Sequence, residues 1–198
     1  MSNMLLVGST ARNNGKTTFC FAFVKKWKDA CDITGLKVTT VREGKGVCHH
    51  GNDGCGACSS FSGGYDISEE TLDSGEKDTN MLLAAGAKRV FWIRTTAECA
   101  GEALGAVMPE LPSNGLIVCE SNVLAGLVKP GVIVLMHRAG IEDVKPSAGL
   151  LIEKADFVCD ISKPGSTEAA LDGITVSRVD GRVCVGKLVP KSHSKNEK

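Results

Sequence analysis

A short apolar run, Met4-Leu5-Leu6-Val7, is followed almost at once by Thr10-Ala11-Arg12-Asn13-Asn14-Gly15-Lys16-Thr17-Thr18 and then by a run of helix-forming residues. This juxtaposition constrains the chain more than any other feature, because a Gly-Lys-Thr turn between a strand and a helix aims consecutive backbone N–H groups at one point. We expect a strand over residues 4–7 and a helix over about 16–30. Between them, Asn13, Asn14, Gly15, Lys16, Thr17 and Thr18 would cradle a polyphosphate. Lys16 would reach the β and γ oxygens, and the Thr17 hydroxyl would hold Mg²⁺. The usual pattern GxxxxGK[ST] has glycine where this chain has Thr10, with Gly8 two residues earlier. The plainer alternative is a glycine-containing turn with an exposed lysine.

With 198 residues the chain can bury one large core without staples. Twenty-three basic side chains balance 23 acidic ones, so no bulk field draws it to nucleic acid or to an anionic membrane. That balance also permits self-association, and a homodimer is an open expectation. No apolar run approaches the roughly 20 residues needed to span a bilayer. Met1-Ser2-Asn3 leads into the first strand instead of a secretory leader, so the expected location is the cytoplasm.

Nine cysteines in such a compartment are not expected to form disulfides. Cys20, Cys31, Cys99, Cys119, Cys159 and Cys184 lie among apolar neighbours, where a thiol packs as a small hydrophobe. Cys48, Cys55 and Cys58 lie instead in Val47-Cys48-His49-His50-Gly51-Asn52-Asp53-Gly54-Cys55-Gly56-Ala57-Cys58. The Cys55/Cys58 pair can bite one tetrahedral ion, and Cys48 with His49 or His50 would complete the set or leave a position open. Zinc suits these ligands, and so does an iron–sulfur cluster or a metal held in transit. A loop with idle thiols, or a redox-active pair, is the alternative.

The remaining pattern alternates strand and helix. Strands are expected over 36–41, 89–93, 115–119, 132–136 and 156–159, with helices over 78–85 and 97–108. Residues 46–74 read as a long loop that includes the cysteine-rich run, a length that marks function or disorder. Asp180-Gly181 favours a tight hairpin turn within 174–189, placed at the sheet edge, and 191–198 reads as a frayed tail. The sum is an α/β chain in three layers, with a mostly parallel sheet, a C-terminal β-hairpin and a single domain over 1–190. Glu120 closes the strand at 115–119, where an acidic residue holds a Mg²⁺-bound water or caps the following helix. Base recognition is poorly encoded: Glu153-Lys154-Ala155-Asp156 is the nearest string to a guanine-reading motif, and it precedes a strand. His137 and Arg138 are better placed by topology, with a solvated loop as the plain alternative.

Gly15-Lys16-Thr17-Thr18, the His/Cys-containing loop after the second strand, Glu76-Lys77-Asp78-Thr79 before a helix ending in Ala85-Gly86-Ala87, and Ile117-Val118-Cys119-Glu120 together resemble the molybdopterin-guanine dinucleotide biosynthesis adaptor family over about residues 4–136. The resemblance implies a P-loop NTPase fold that binds GTP and assists cofactor assembly. It also places Lys77, Asp78 and Thr79 near the nucleotide. The expected activity is Mg²⁺-dependent binding of ATP or GTP with slow hydrolysis, coupled to delivery of a metal or metallocofactor to a metalloenzyme or cofactor-assembly protein. Lys16 would neutralise charge at the leaving phosphates, Thr17 and Glu120 would place Mg²⁺, and Asp78 or Glu43 would orient water or the hydroxyl of a second substrate. Two other classes stay open, a small-molecule kinase with 46–74 as a lid and a nucleotide-gated adaptor without catalysis.

Overall fold

A computed structural model describes residues 1–41, 63–71, 78–140 and 144–188, with the Asp78 side chain excluded. Strands β1 (Met4–Ser9) and β5 (Leu116–Glu120) are buried along their whole length, as expected of strands covered on both faces. They lie side by side at the centre of a sheet completed by β2 (Ile33–Thr40), β3 (Tyr65–Glu69), β4 (Arg89–Thr95), β6 (Val132–His137) and β7 (Phe157–Asp160). The order is β3-β4-β2-β5-β1-β6-β7, and every pairing is parallel except that of β3 with β4.

Helices cover both faces, which makes the chain α/β in three layers. On one face, Phe19, Cys20, Phe23 and Val24 of α1 (Lys16–Trp27) and Leu82 and Ala85 of α2 (Asp78–Ala85) pack on Leu5, Val7, Leu116 and Val118. On the other, Ala103 and Val107 of α3 (Ala100–Val107) and Leu151 of α4 (Gly149–Lys154) pack on Leu6, Leu36, Ile117 and Leu135. Helix α5 (Ser166–Gly173) adds Ala170 to the first cluster. From β1 the chain runs through α1 to β2 on one side, whereas β5 connects across β1 to β6 on the other. The crevice above the carboxyl end of β1 therefore opens where successive connections part, the usual position of a ligand site in such sheets.

Four expectations need correction. The stretch 46–74 is not loop throughout, because Tyr65–Glu69 is strand β3. In β3 Tyr65 and Ile67 alternate with Asp66 and Ser68, and Ile67 packs on the core, while cross-strand ion pairs to β4 add to the pairing, Arg94 Nε donating to Asp66 Oδ1 at 3.0 Å and Arg89 Nε to Glu69 Oε1 at 2.7 Å. Helix α1 stops at Trp27. Helix α5, unforeseen from the sequence, begins after Gly165, whose φ of +79° supplies the turn before it. Finally, β8 (Ile174–Val179) and β9 (Arg182–Lys187) form the expected hairpin, with φ positive at both Asp180 and Gly181, but it lies beneath the amino ends of the central strands, not at a sheet edge. Val185 N–H donates to Ser2 O at 2.8 Å, and a Cβ at Gly131 would collide with the carbonyl oxygens of Val185 and Ser2. Among the cysteines read as core, Cys20, Cys119 and Cys159 are buried, and Cys31, Cys99 and Cys184 are half-buried. No helix among the described residues is long and apolar enough to cross a membrane.

Candidate functional site

The loop joining β1 to α1 lies over the crevice and is fixed by its own backbone. Thr10 N–H donates to Met136 O on β6 at 3.1 Å, and the Thr10 hydroxyl accepts from Asn14 Nδ2 at 3.1 Å. Left-handed backbone occurs at Asn13 (φ +55°) and Gly15 (φ +74°) and not at Thr10, so threonine causes no backbone strain where the motif has glycine. Gly15 opens α1 without any side-chain cap, leaving the first N–H groups of that helix for another acceptor. Asn14 is fully buried, yet its Oδ1 accepts no hydrogen bond.

Four side chains from two strands and one helix meet beside this loop. Lys16 Nζ donates to Ser9 Oγ at 2.9 Å and stands 3.8 Å from Glu120 Oε1. The Thr17 hydroxyl donates to Glu120 Oε2 at 2.8 Å. Glu120 is buried at the end of β5 and pairs in register with Val7, which brings its carboxylate under the first turn of α1. The 3-10 turn that follows begins at Asn122 with no side-chain cap, Ser121 Oγ accepts from Leu124 N–H at 3.2 Å, and the Glu120 carboxylate accepts from Thr17 instead, so Glu120 does not cap it. A hydroxyl and a carboxylate oxygen that share one proton, with an ammonium alongside, form an oxygen donor set suited to Mg²⁺, which prefers carboxylates and hydroxyls and completes its shell with water or phosphate.

Cys20 of α1 packs on one face of the sheet, while Cys119 packs on the opposite face. Burial, together with the Glu120 charge, raises the pKa of both thiols well above the ordinary thiol range, so both are neutral packing groups.

Three residues that the sequence reading did not assign complete the surroundings. Asn122 brackets Ser9, with its Oδ1 accepting from Ser9 N–H and its Nδ2 donating to Ser9 O, both at 2.9 Å, and Nδ2 also reaches Ser147 Oγ at 3.2 Å. Its only sequence cue is its place two residues beyond an acidic strand end. Lys145 donates its backbone N–H to Thr10 O at 2.9 Å, a contact no spacing rule would reveal. Asp160, at the end of β7, accepts from Ser162 Oγ at 2.6 Å, Ser162 N–H at 3.1 Å and Ala139 N–H at 3.2 Å, tying together the loops after β6 and β7. These bonds, the Ser162 hydroxyl foremost, hold the Asp160 carboxyl down to about 2. The joined loops flank the Gly15 turn, since a Cβ at Gly15 would touch Ile161 Cγ2 at 3.8 Å and Met136 Cε at 3.9 Å.

Of the expected site residues, Lys16, Thr17 and Glu120 converge, Asn13, Asn14 and Gly15 shape the loop, and Thr18 is exposed on α1. Asp78 is the first residue of α2, and its side chain lies outside the described residues, as do Glu43 and Lys77. Thr79 is buried and donates to Glu70 Oε2 at 3.1 Å. Asp156 is spent at the amino end of β6, accepting from Ile133 N–H at 2.8 Å and Lys187 Nζ at 2.7 Å, which removes it from any role in reading a base above the crevice. Cys48, His49, His50, Cys55 and Cys58 lie outside the described residues. Among the described ones no group of three or more His, Cys, Asp or Glu is placed to hold a metal.

Comparison of the chain with protein-family models, curated proteins and solved structures finds no match.

Proposed function

We propose that the chain is a P-loop-type nucleoside triphosphate-binding protein that hydrolyses ATP or GTP slowly in the presence of Mg²⁺ and serves the assembly of a metal site or metallocofactor. The observation that carries this reading is the meeting of Lys16, Thr17 and Glu120 beneath an uncapped helix start. In this reading the loop N–H groups and Lys16 bind the β- and γ-phosphates. Ser9 and Glu120 hold the Lys16 ammonium over the loop before ligand arrives, which limits the ordering cost on binding. Thr17 and Glu120 would hold Mg²⁺, which would neutralise charge developing on the phosphates. The Cys48/Cys55/Cys58 run, with His49 and His50, would carry the metal, zinc or an iron–sulfur cluster.

Calorimetric titration with ATP and GTP, with and without Mg²⁺, tests the nucleotide part. Wild type binds at least one of them, and Lys16→Ala loses most of that affinity and any phosphate release. Undiminished binding by Lys16→Ala sinks the proposal. Anaerobic purification and elemental analysis test the metal part. Metal retained after Cys48, Cys55 and Cys58 are all changed to serine rules those thiols out.

A further inference from the structure

One cation beside the β1–α1 loop, Lys145, lacks a partner among the described residues. Lys145 is half-buried, its backbone N–H is tied to Thr10 O at 2.9 Å, and its carbonyl accepts from Ala148 N–H at 2.8 Å, so the residue is fixed against the loop. Among the described residues its ammonium has no hydrogen-bond or ion-pair partner, unlike those of Lys16, Lys26, Lys154 and Lys187. Among the described residues, the charges that face it are Lys16 from the first turn of α1, Arg12 from the loop and Glu120 from β5. The carboxylate already accepts from Thr17 and pairs with Lys16. Burial first, then Lys16 and Arg12, hold the Lys145 ammonium down to about 8, and Glu120 opposes this only weakly.

A fold does not gather cations around a loop to stabilise itself, since like charges in a partly desolvated place repel. We infer that Lys145 is a further phosphate-binding residue, reaching from the segment after β6 to the polyphosphate that the β1–α1 loop holds. This rests on the nucleotide reading above and adds to it a cation contributed by the opposite side of β1. Phosphate oxygens would restore the missing partner and draw the lysine fully into its charged form. Binding would therefore take up a proton at mildly alkaline pH.

The test uses the full chain with ATP and GTP as probes, by titration calorimetry at pH 7 and pH 9. A lysine that titrates near 8 when free and stays charged when bound weakens wild-type affinity about tenfold between those pH values, with proton uptake visible as a dependence of heat on buffer. Lys145→Met binds roughly tenfold or more weakly at pH 7 and loses the pH dependence. Lys145→Arg keeps the affinity and also loses the pH dependence, which no purely structural role would produce. Unchanged affinity in Lys145→Met while Lys16→Ala abolishes binding overturns the inference and leaves the nucleotide reading standing. Failure of wild type to bind either nucleotide overturns both. Should Lys145→Met not fold, wild type decides alone, with the alkaline loss and proton uptake supporting the inference and a flat profile refuting it.

Discussion

Gly8 on β1 separates the sheet from α4 so closely that one added methyl has a calculable effect. A Cβ there would overlap Leu151 Cδ1 and come within 3.0 Å of Asn122 Oδ1. Leu151 is fully buried and anchors the six-residue α4, so it cannot swing into solvent. Gly8→Ala must then force an off-rotamer leucine or displace α4, an overpacking cost of about 1–3 kcal/mol. The stiffer unfolded chain returns about 0.4–1 kcal/mol. A net loss of about 1–2 kcal/mol corresponds to a fall in melting temperature of roughly 2–8 °C for a chain of this size. Urea denaturation of the single and double variants measures it. Leu151→Ala alone leaves a cavity and costs about 2–5 kcal/mol. In that background the added methyl has room, so Gly8→Ala should be neutral or stabilising, a coupling of about 1 kcal/mol or more. Because Asn122 Oδ1 also stands at this contact and brackets Ser9, nucleotide affinity should fall in Gly8→Ala and stay lowered in the double variant, where Asn122 is unchanged. An equal cost of Gly8→Ala in both backgrounds would refute the steric account.

Asn122→Ala should cost about 1–3 kcal/mol in urea denaturation, because the Ser9 N–H and C=O lose their partner, and should weaken nucleotide binding through Ser9 and Lys16. Asp160 is ionised in the fold down to about 2 against an ordinary 3.8, so its stabilisation is full above about pH 4 and is lost as pH falls toward 2. Wild type should accordingly lose thermal stability over that range more steeply than Asp160→Asn, and parallel profiles would remove the carboxylate from the account. Cys20, Cys119 and Cys159 should resist alkylation at pH 8 until the chain is denatured, as peptide mass mapping would show, because all three are buried and burial raises each thiol, that of Cys159 to about 11. Labelling of any of them in the native state would mean that the core opens locally.

The central strands were legible because burial on both faces leaves only continuous apolar runs, as in Met4-Leu5-Leu6-Val7 and Val132 to Met136. Lys16, Thr17 and Glu120 were legible because one strand-turn-helix motif and one acidic strand end fix them locally. Strand β3 was not, since its residues are held by Arg89 and Arg94 from a neighbour 20 or more positions away. Asn122 and Lys145 escaped for a related reason, since each acts through a backbone group on a segment more than 100 residues distant in the chain, and composition carries no trace of that.

The hairpin beneath the sheet gives the molecule a particular order of assembly. Strand β1 leaves the ribosome long before β9, so Ser2 O finds its partner only when Val185 arrives, and Ile174, Val183 and Val185 close the same apolar cluster that Leu5 and Val7 begin. Strand β1, which ends at Ser9, must wait for β9, which begins at Arg182. Such closure at long range slows folding and makes the arrival of β9 the event that commits this sheet. A ribosome stalled before residue 174 would hold a nascent chain whose central strand has no floor beneath it.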